Sequence, residues 1–284
     1  MGKVISIINM KGGVGKTTLC IGLADYLSTK KNILLIDADP QFNATQAMLD
    51  EYKKETPEQD DNFYTSNVLP NNKTIYRLFR PQVDMNQSYS TPAASEIIIS
   101  LKENLDILCG DLNLVLANQS TDNRFVKRIR HFIEDNHLKD IYDYIFIDCP
   151  PTLTIYTNSA LMASDYYLIP NRIDRYSIVG IDSLQKAISS IISEERINLK
   201  CIGLVYTMVS TSPSPKQQRI KTNFESKQVV EEIDIFSASM AEYKTVQYGM
   251  SGTIPTKYKK SLEDIETISE ELLEKIASCS QGKE

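Results

Sequence analysis

Short apolar, β-branched runs punctuate the chain at Val4 to Asn9, Ile33 to Asp37, Leu105 to Leu108, Tyr144 to Asp148, Tyr166 to Ile169 and Cys201 to Tyr206. Their length and composition predict strands. Between the first two, Leu19, Leu23 and Leu27, with Ala24 beside Leu23, recur at helical spacing. Further helices are predicted over Asp122 to Asn136, over Ile178 to Ser193, and over Ser261 to Ala277, where Leu262, Ile265, Ile268, Leu272, Leu273 and Ile276 share one face and acidic residues fill the other. Strands alternating with helices predict an α/β fold, a mostly parallel, doubly wound sheet with helices on both faces. Two polar stretches interrupt the pattern. Glu51 to Asn72 is too polar to bury and reads as a surface insertion, and Met85 to Ser95 lacks a clear period.

Composition narrows this picture. At 284 residues the chain is long enough for one large α/β domain spanning 1–284. Its formal net charge of −6 gives no global basic field, so any affinity for nucleic acid must come from a local patch. The five cysteines (Cys20, Cys109, Cys149, Cys201, Cys279) lie far apart without a C-x-x-C pair, which argues against a disulfide framework and a zinc site and for reduced thiols in a cytoplasm. No apolar stretch approaches the length of a signal core or a membrane span.

The strongest chemistry lies where the first strand gives way to a helix, in Lys11-Gly12-Gly13-Val14-Gly15-Lys16-Thr17-Thr18. Three glycines let successive N–H groups point inward at a phosphate, and the helix N-terminus adds partial positive charge. In such a loop Lys16 reaches the β- and γ-phosphates and the Thr17 hydroxyl ligates Mg²⁺. The general pattern G-x-x-x-x-G-K-[ST] asks for a glycine where Met10 stands and has no place for a lysine at position 11. Two later strands end in carboxylates. Ile33 to Gln41 carries Asp37 and Asp39 at alternating positions, which sends both to one side of the strand tip, and Tyr144 to Pro151 carries Asp148. Together the three segments predict a Mg-nucleotide site across neighbouring strand ends, where open parallel sheets bind ligands.

The sequences K-G-G-V-G-K-T-T at 11–18, L-L-I-D-A-D-P-Q-F-N-A-T at 34–45 and Y-D-Y-I-F-I-D-C-P-P at 142–151 resemble those of the ParA/Soj-type partition ATPases. These belong to the deviant Walker A group of P-loop NTPases, which also includes MinD and nitrogenase iron protein. The resemblance implies an ATPase that uses ATP and Mg²⁺. Lys11 would be the signature lysine that crosses to the partner subunit's nucleotide in an ATP-sandwich homodimer, while Lys16 serves its own. Asp39 would orient the attacking water, Thr17 and Asp148 would hold Mg²⁺, and Asp37 would be a metal-side or supporting carboxylate. Met208 is offered for the adenine, because Ser237 to Tyr243 replaces the Ile-Pro-Arg pattern of relatives.

Partners follow from the same resemblance: nonspecific DNA on a nucleoid-associated protein, and a centromere-binding, ParB-like protein that triggers hydrolysis. Lys216, Arg219, Lys221 and Lys227 form the candidate DNA surface, with Arg124, Lys127, Arg128 and Arg130 as the rival. With the loop beginning at residue 11 there is no room for an N-terminal helix-turn-helix domain, so sequence-specific operator reading is not expected. Three alternatives stand beside this reading. A MinD-like membrane-surface ATPase would need cations flanking the apolar face of the last helix, where Glu263, Asp264, Glu266, Glu270, Glu271 and Glu274 stand instead, so no membrane partner is expected. A nitrogenase-type reductase would need a second cysteine beside Cys149. The third is a regulator of another assembly, which would use the same switch.

Overall fold

In the computed structural model Val4 and Ile5, neighbours on one strand, are both fully buried yet belong to different apolar cores. The same split separates Leu34 from Leu35 and Ile145 from Phe146. These strands have no solvated face, which is why they read as unbroken apolar runs. The structure describes residues 1–54, 62–80, 90–117, 123–174, 177–247 and 252–281.

The strands are β1 (Lys3–Ile7), β2 (Ile33–Asp37), β3 (Ile99–Lys102), β4 (Leu105–Leu108), β5 (Tyr144–Asp148), β6 (Tyr166–Asn171), β7 (Lys200–Val209) and β8 (Ile235–Ala241). They form one sheet in the order β3-β4-β2-β5-β1-β6-β7-β8. Every pairing is parallel except β3 with β4. Asp148 pairs in register with both Ile7 and Asp37, so β1, β2 and β5 end level. Whatever follows these three strands is delivered to one edge of the sheet.

Helices α1 (Lys16–Leu27), α2 (Asn43–Tyr52), α3 (Arg128–Asp135), α4 (Ile155–Ala163), α5 (Ser177–Glu195), α6 (Pro215–Glu225) and α7 (Lys259–Gln281) divide between the faces. Leu19 and Leu23 of α1, Met48 of α2, and Ile265, Ile268, Leu272 and Ile276 of α7 build one core. Phe132 of α3, Ala160 of α4, Leu184 of α5 and Phe224 of α6 join the other. A methyl at Gly22 of α1 would meet Ile265 Cδ1 at 2.6 Å and Pro255 Cγ at 3.0 Å, so only glycine lets α7 lie this close to α1. Among the described residues no helix is long and apolar enough to cross a membrane.

The structure departs from the sequence pattern in three places. First, β3 and β8 were not expected: β3 is a four-residue edge strand, and β8 (Ile-Phe-Ser-Ala-Ser-Met-Ala) lacks a β-branched run. Second, the helix expected over Asp122 to Asn136 opens as a 3₁₀ turn, Asn123–Lys127, before α3 begins, which buries Phe125 and Arg128. Third, the Glu51 to Asn72 segment is not wholly a surface insertion. Glu51 and Tyr52 complete α2, residues 55–61 lie outside the described residues, and Tyr64 and Val68 are buried. The Tyr64 ring stacks on Phe42 at 4.8 Å and its hydroxyl donates to the Gly110 carbonyl at 3.0 Å. Of the Met85 to Ser95 stretch, residues 85–89 lie outside the described residues.

Candidate functional site

Between the end of β1 at Ile7 and the start of α1 at Lys16 the chain turns through two left-handed glycines, Gly13 at φ 68° and Gly15 at φ 76°. Gly15 caps α1, and no side chain caps its first turn. The helix therefore presents backbone donors to the loop, the arrangement that suits an anion. Two side chains brace the turn from outside. Asn9 accepts the Lys11 N–H at 3.0 Å through Oδ1 and donates through Nδ2 to the Pro170 carbonyl at 2.8 Å. From β7, Thr207 donates its hydroxyl to the Val14 carbonyl at 2.6 Å.

Inside the turn Lys16 Nζ donates to the Lys11 carbonyl at 3.0 Å. Burial lowers the Lys16 pKa, and the Asp148 and Asp39 carboxylates act in the opposite direction. The loop thus holds a desolvated ammonium against one of its own carbonyls, a group of far lower charge than a phosphate.

The three carboxylates occupy the neighbouring strand ends, where the β2 and β5 register puts them. Asp148 Oδ2 accepts from the Thr17 hydroxyl at 2.7 Å, and its Oδ1 is buried without a hydrogen-bond partner among the described residues. A buried carboxylate oxygen of this kind, beside a threonine hydroxyl, fits a hard divalent cation held directly by Thr17 and at longer range by Asp148. Burial raises the Asp148 pKa well above the carboxylate range, and the charges of Asp37 and Asp39 raise it further.

Asp37 is fully buried and fully engaged. Its Oδ2 accepts from the Thr45 N–H and the Thr45 hydroxyl, both at 2.8 Å, and its Oδ1 accepts from the Asp39 N–H at 3.2 Å. Burial pushes its pKa up to about 7 against the pull of the Thr45 bonds. Asp39 Oδ1 accepts from the Gln41 N–H at 2.9 Å, which fixes the turn after β2. Three thiols lie close by in the core. Cys20, Cys109 and Cys149 are fully buried, and burial pushes all three well above the ordinary thiol range.

On the other side of the loop a cavity of about 500 Å³ runs from Gly13 and Thr18 to Met208, Met240, Tyr243 and Pro255. Met208 adopts φ 52°, rare for a side chain of its size. The methyl groups of Met240 and Met208 would lie 3.4 and 3.7 Å from a Cβ at Gly15, so both lie beside the phosphate turn. The cavity is contiguous with the loop and mixes apolar walls (Ile21, Met208, Met240, Pro255) with polar groups (Arg172, Glu242, Thr253), so it offers an aromatic base both a packing surface and hydrogen-bond partners.

Lys11 faces elsewhere. Its carbonyl turns inward to Lys16, but its ammonium pairs with Asp174, on the segment between β6 and α5. Burial and the nearby Arg172 guanidinium lower the Lys11 pKa. Asp174 also lines a groove of about 650 Å³ with Lys216, Arg219, Phe224 and Lys227. Lys221 stands apart, 3.7 Å from Glu225 and 4.9 Å from the Tyr206 ring centre. On a helix it lies about 200° around the axis from Arg219. The four candidate cations therefore divide into three on one groove and one on the opposite flank. The rival cluster is dispersed: Arg128 is buried over the Phe125 ring, Arg130 pairs with Glu134 and Lys127 with Glu195.

The sequence motifs assign no role to Asn9, Thr45, Thr207, Met240 or Asp174. Thr45 closes the second motif and Asn9 reaches the phosphate loop two residues along the chain, whereas Thr207, Met240 and Asp174 reach it only through the fold.

A parallel sheet with a glycine turn at its central strand, a lysine and threonine opening the next helix, and an aspartate ending the adjacent strand defines the class: a P-loop NTPase fold. Comparison with known proteins narrows it. The family model described as "AAA domain" matches residues 2–201. The sporulation initiation inhibitor protein Soj of Bacillus subtilis is 31% identical over 87% of this chain and 84% of its own length. The chromosome partitioning protein ParA of Myxococcus xanthus is 33% identical over 82% of this chain and 75% of its own length. Among solved structures, a plasmid partition protein from Borrelia burgdorferi bound to AMPPNP superposes with a TM-score of 0.72 at 24% identity, covering 97% of this chain and 100% of that one. The chain belongs to the ParA/Soj family of P-loop ATPases.

Proposed function

We propose that this chain is an ATP-driven DNA-partition switch, acting as a homodimer that closes on ATP, binds DNA without regard to sequence and releases it on hydrolysis. The orientation of Lys11 carries this reading. The backbone on both sides of that residue is committed to its own loop, through Asn9 and Lys16, while the ammonium points out of it. A lysine so placed serves a phosphate on a second copy better than one on its own.

The residues then divide the work. Lys16 and the α1 backbone donors hold the phosphates of their own subunit. Thr17 and Asp148 would hold Mg²⁺, which when bound neutralises phosphate charge. Asp39 orients a water at the strand tip, and Asp37, with every oxygen engaged by Thr45 and Asp39, serves as the carboxylate that fixes that tip. Lys11 of a second copy adds the cationic stabilisation that makes hydrolysis depend on association. Met208, Met240 and Tyr243 take the base. The groove lined by Lys216, Arg219 and Lys227, doubled in a dimer, takes the DNA backbone. A ParB-like protein would trigger release.

A membrane-surface role receives no support from α7, whose apolar residues Ile265, Ile268, Leu272 and Ile276 are buried in the core against α1. The decisive experiment is duplex titration with ATP, ADP and no nucleotide, alongside light scattering. Binding of unrelated sequences and dimer mass are expected with ATP alone; tight binding in ADP, or a marked preference for one sequence, would count against the reading.

A further inference from the structure

The Lys11 and Asp174 pair lies outside every role assigned above. The two side chains are 29% and 33% exposed, so the pair is screened by water on one side and can exchange. Asp174 is itself held. Its N–H donates to the Ser177 hydroxyl at 3.2 Å, and that hydroxyl in turn donates to the Arg172 carbonyl at 2.6 Å, so the ammonium meets a carboxylate whose backbone is anchored at the start of α5. Nearby, Arg172 opposes the Lys11 charge, and its guanidinium lies 3.9 Å from Glu242. Lys11 thus sits between one attracting and one repelling group of its own subunit.

We infer that Asp174 is the intrasubunit counter-ion of Lys11, a positioning residue that holds the ammonium on its own subunit until the nucleotide of a second copy competes for it. The inference rests on the crossing role proposed for Lys11. Each dimer that forms must break two such pairs, so their strength enters the dimer dissociation constant twice. Asp174 therefore raises the protein concentration at which ATP-bound copies associate, and limits association in the absence of ATP's negative charge. Because Asp174 also borders the groove of Lys216 and Arg219, departure of Lys11 exposes a carboxylate at the rim of the basic surface.

The test is the dimerisation midpoint of full-length protein in AMPPNP and Mg²⁺, followed by light scattering across concentration, for wild type, Asp174→Asn, Asp174→Ser, Asp174→Glu and Lys11→Ala. Neutralising a pair about one-third exposed is expected to favour association about fivefold per copy, hence about twenty-five-fold in the dimer dissociation constant. Asp174→Glu should restore the wild-type midpoint. AMPPNP affinity at concentrations where the protein is monomeric should stay within about twofold of wild type. The sign separates this role from a structural one, because damage to the α5 N-terminus would weaken the dimer. Asp174→Ser, whose hydroxyl can still meet Ser177, guards against a fold defect in Asp174→Asn, with circular dichroism as the check. Unchanged or weaker association in both folded variants overturns the inference. If Lys11→Ala dimerises like wild type, the crossing role itself has failed; if Lys11→Ala is monomeric and the Asp174 variants are unshifted, only the counter-ion role has.

Discussion

At the level ends of β1, β2 and β5, charged groups are buried and each meets a partner fixed by the backbone, whereas along α6 the cations are exposed and their neighbours are other side chains. Asp37 is gripped by Thr45 and Asp39, and Thr17 by Asp148. Lys216, Arg219 and Lys227 share a groove open to solvent. The first region suits chemistry that tolerates little displacement, and the second suits a ligand whose charges repeat and need no fixed register. Geometry carries the first and net charge the second.

Substitution should expose that difference. Lys16→Ala removes the buried ammonium and is expected to weaken AMPPNP binding about a hundredfold by calorimetry, while Lys11→Ala should leave monomer affinity within about threefold. Equal losses would erase the distinction between the two lysines. Asp39→Ala should bind nucleotide nearly as wild type but slow single-turnover hydrolysis about a hundredfold; a wild-type rate would transfer the role, first to Asp37.

A Thr45→Val change keeps shape but strips Asp37 of one donor and leaves the buried Gly110 N–H, now 2.7 Å from the Thr45 hydroxyl, unsatisfied. Urea unfolding should report a loss of about 2–3 kcal/mol. A loss below about 0.5 kcal/mol would show that the strand tip is not held as tightly as its hydrogen bonds imply. The flank should yield less per residue. Arg219→Ala is expected to flatten the log K against log salt slope for DNA by about two units per dimer, whereas Lys221→Ala, engaged with Glu225 and Tyr206, should change it by well under one. The reverse ranking would move the DNA surface to the other side of α6.

The same contrast explains what could be read from the chain. The phosphate turn, Asp37, Asp39 and Asp148 were legible because their spacing is local: a strand ends, and the next one or two residues carry the chemistry. Three strands were equally plain, β2, β4 and β5 to the residue, because each is a short run of buried apolar residues, interrupted only at Asp106 of β4. The edges were not. β8 is half small and polar residues, and the polar segment before Asn72 hides Tyr64 and Val68 among hydrophilic neighbours. Nor does any spacing connect Asn9 with Pro170, Thr207 with Val14 or Lys11 with Asp174. These pairs meet only because β6 and β7 lie beside β1 in the sheet, an adjacency that belongs to topology rather than to a motif. Lys221 failed to join its neighbours for a simpler reason, since counting cations in a window ignores the helical period.

The burial of the thiols has a practical side. Cys20, Cys109 and Cys149 are sealed beneath the nucleotide end, and Cys201, at the start of β7, is also pushed up, to about 11, chiefly by burial. Thiolate is the attacking species in alkylation, so these four resist maleimides near neutral pH. Cys279, half-buried near the end of α7, is left as the native attachment point. A fluorophore placed there would follow the proposed assembly and DNA binding from a single site without a substitution anywhere in the chain.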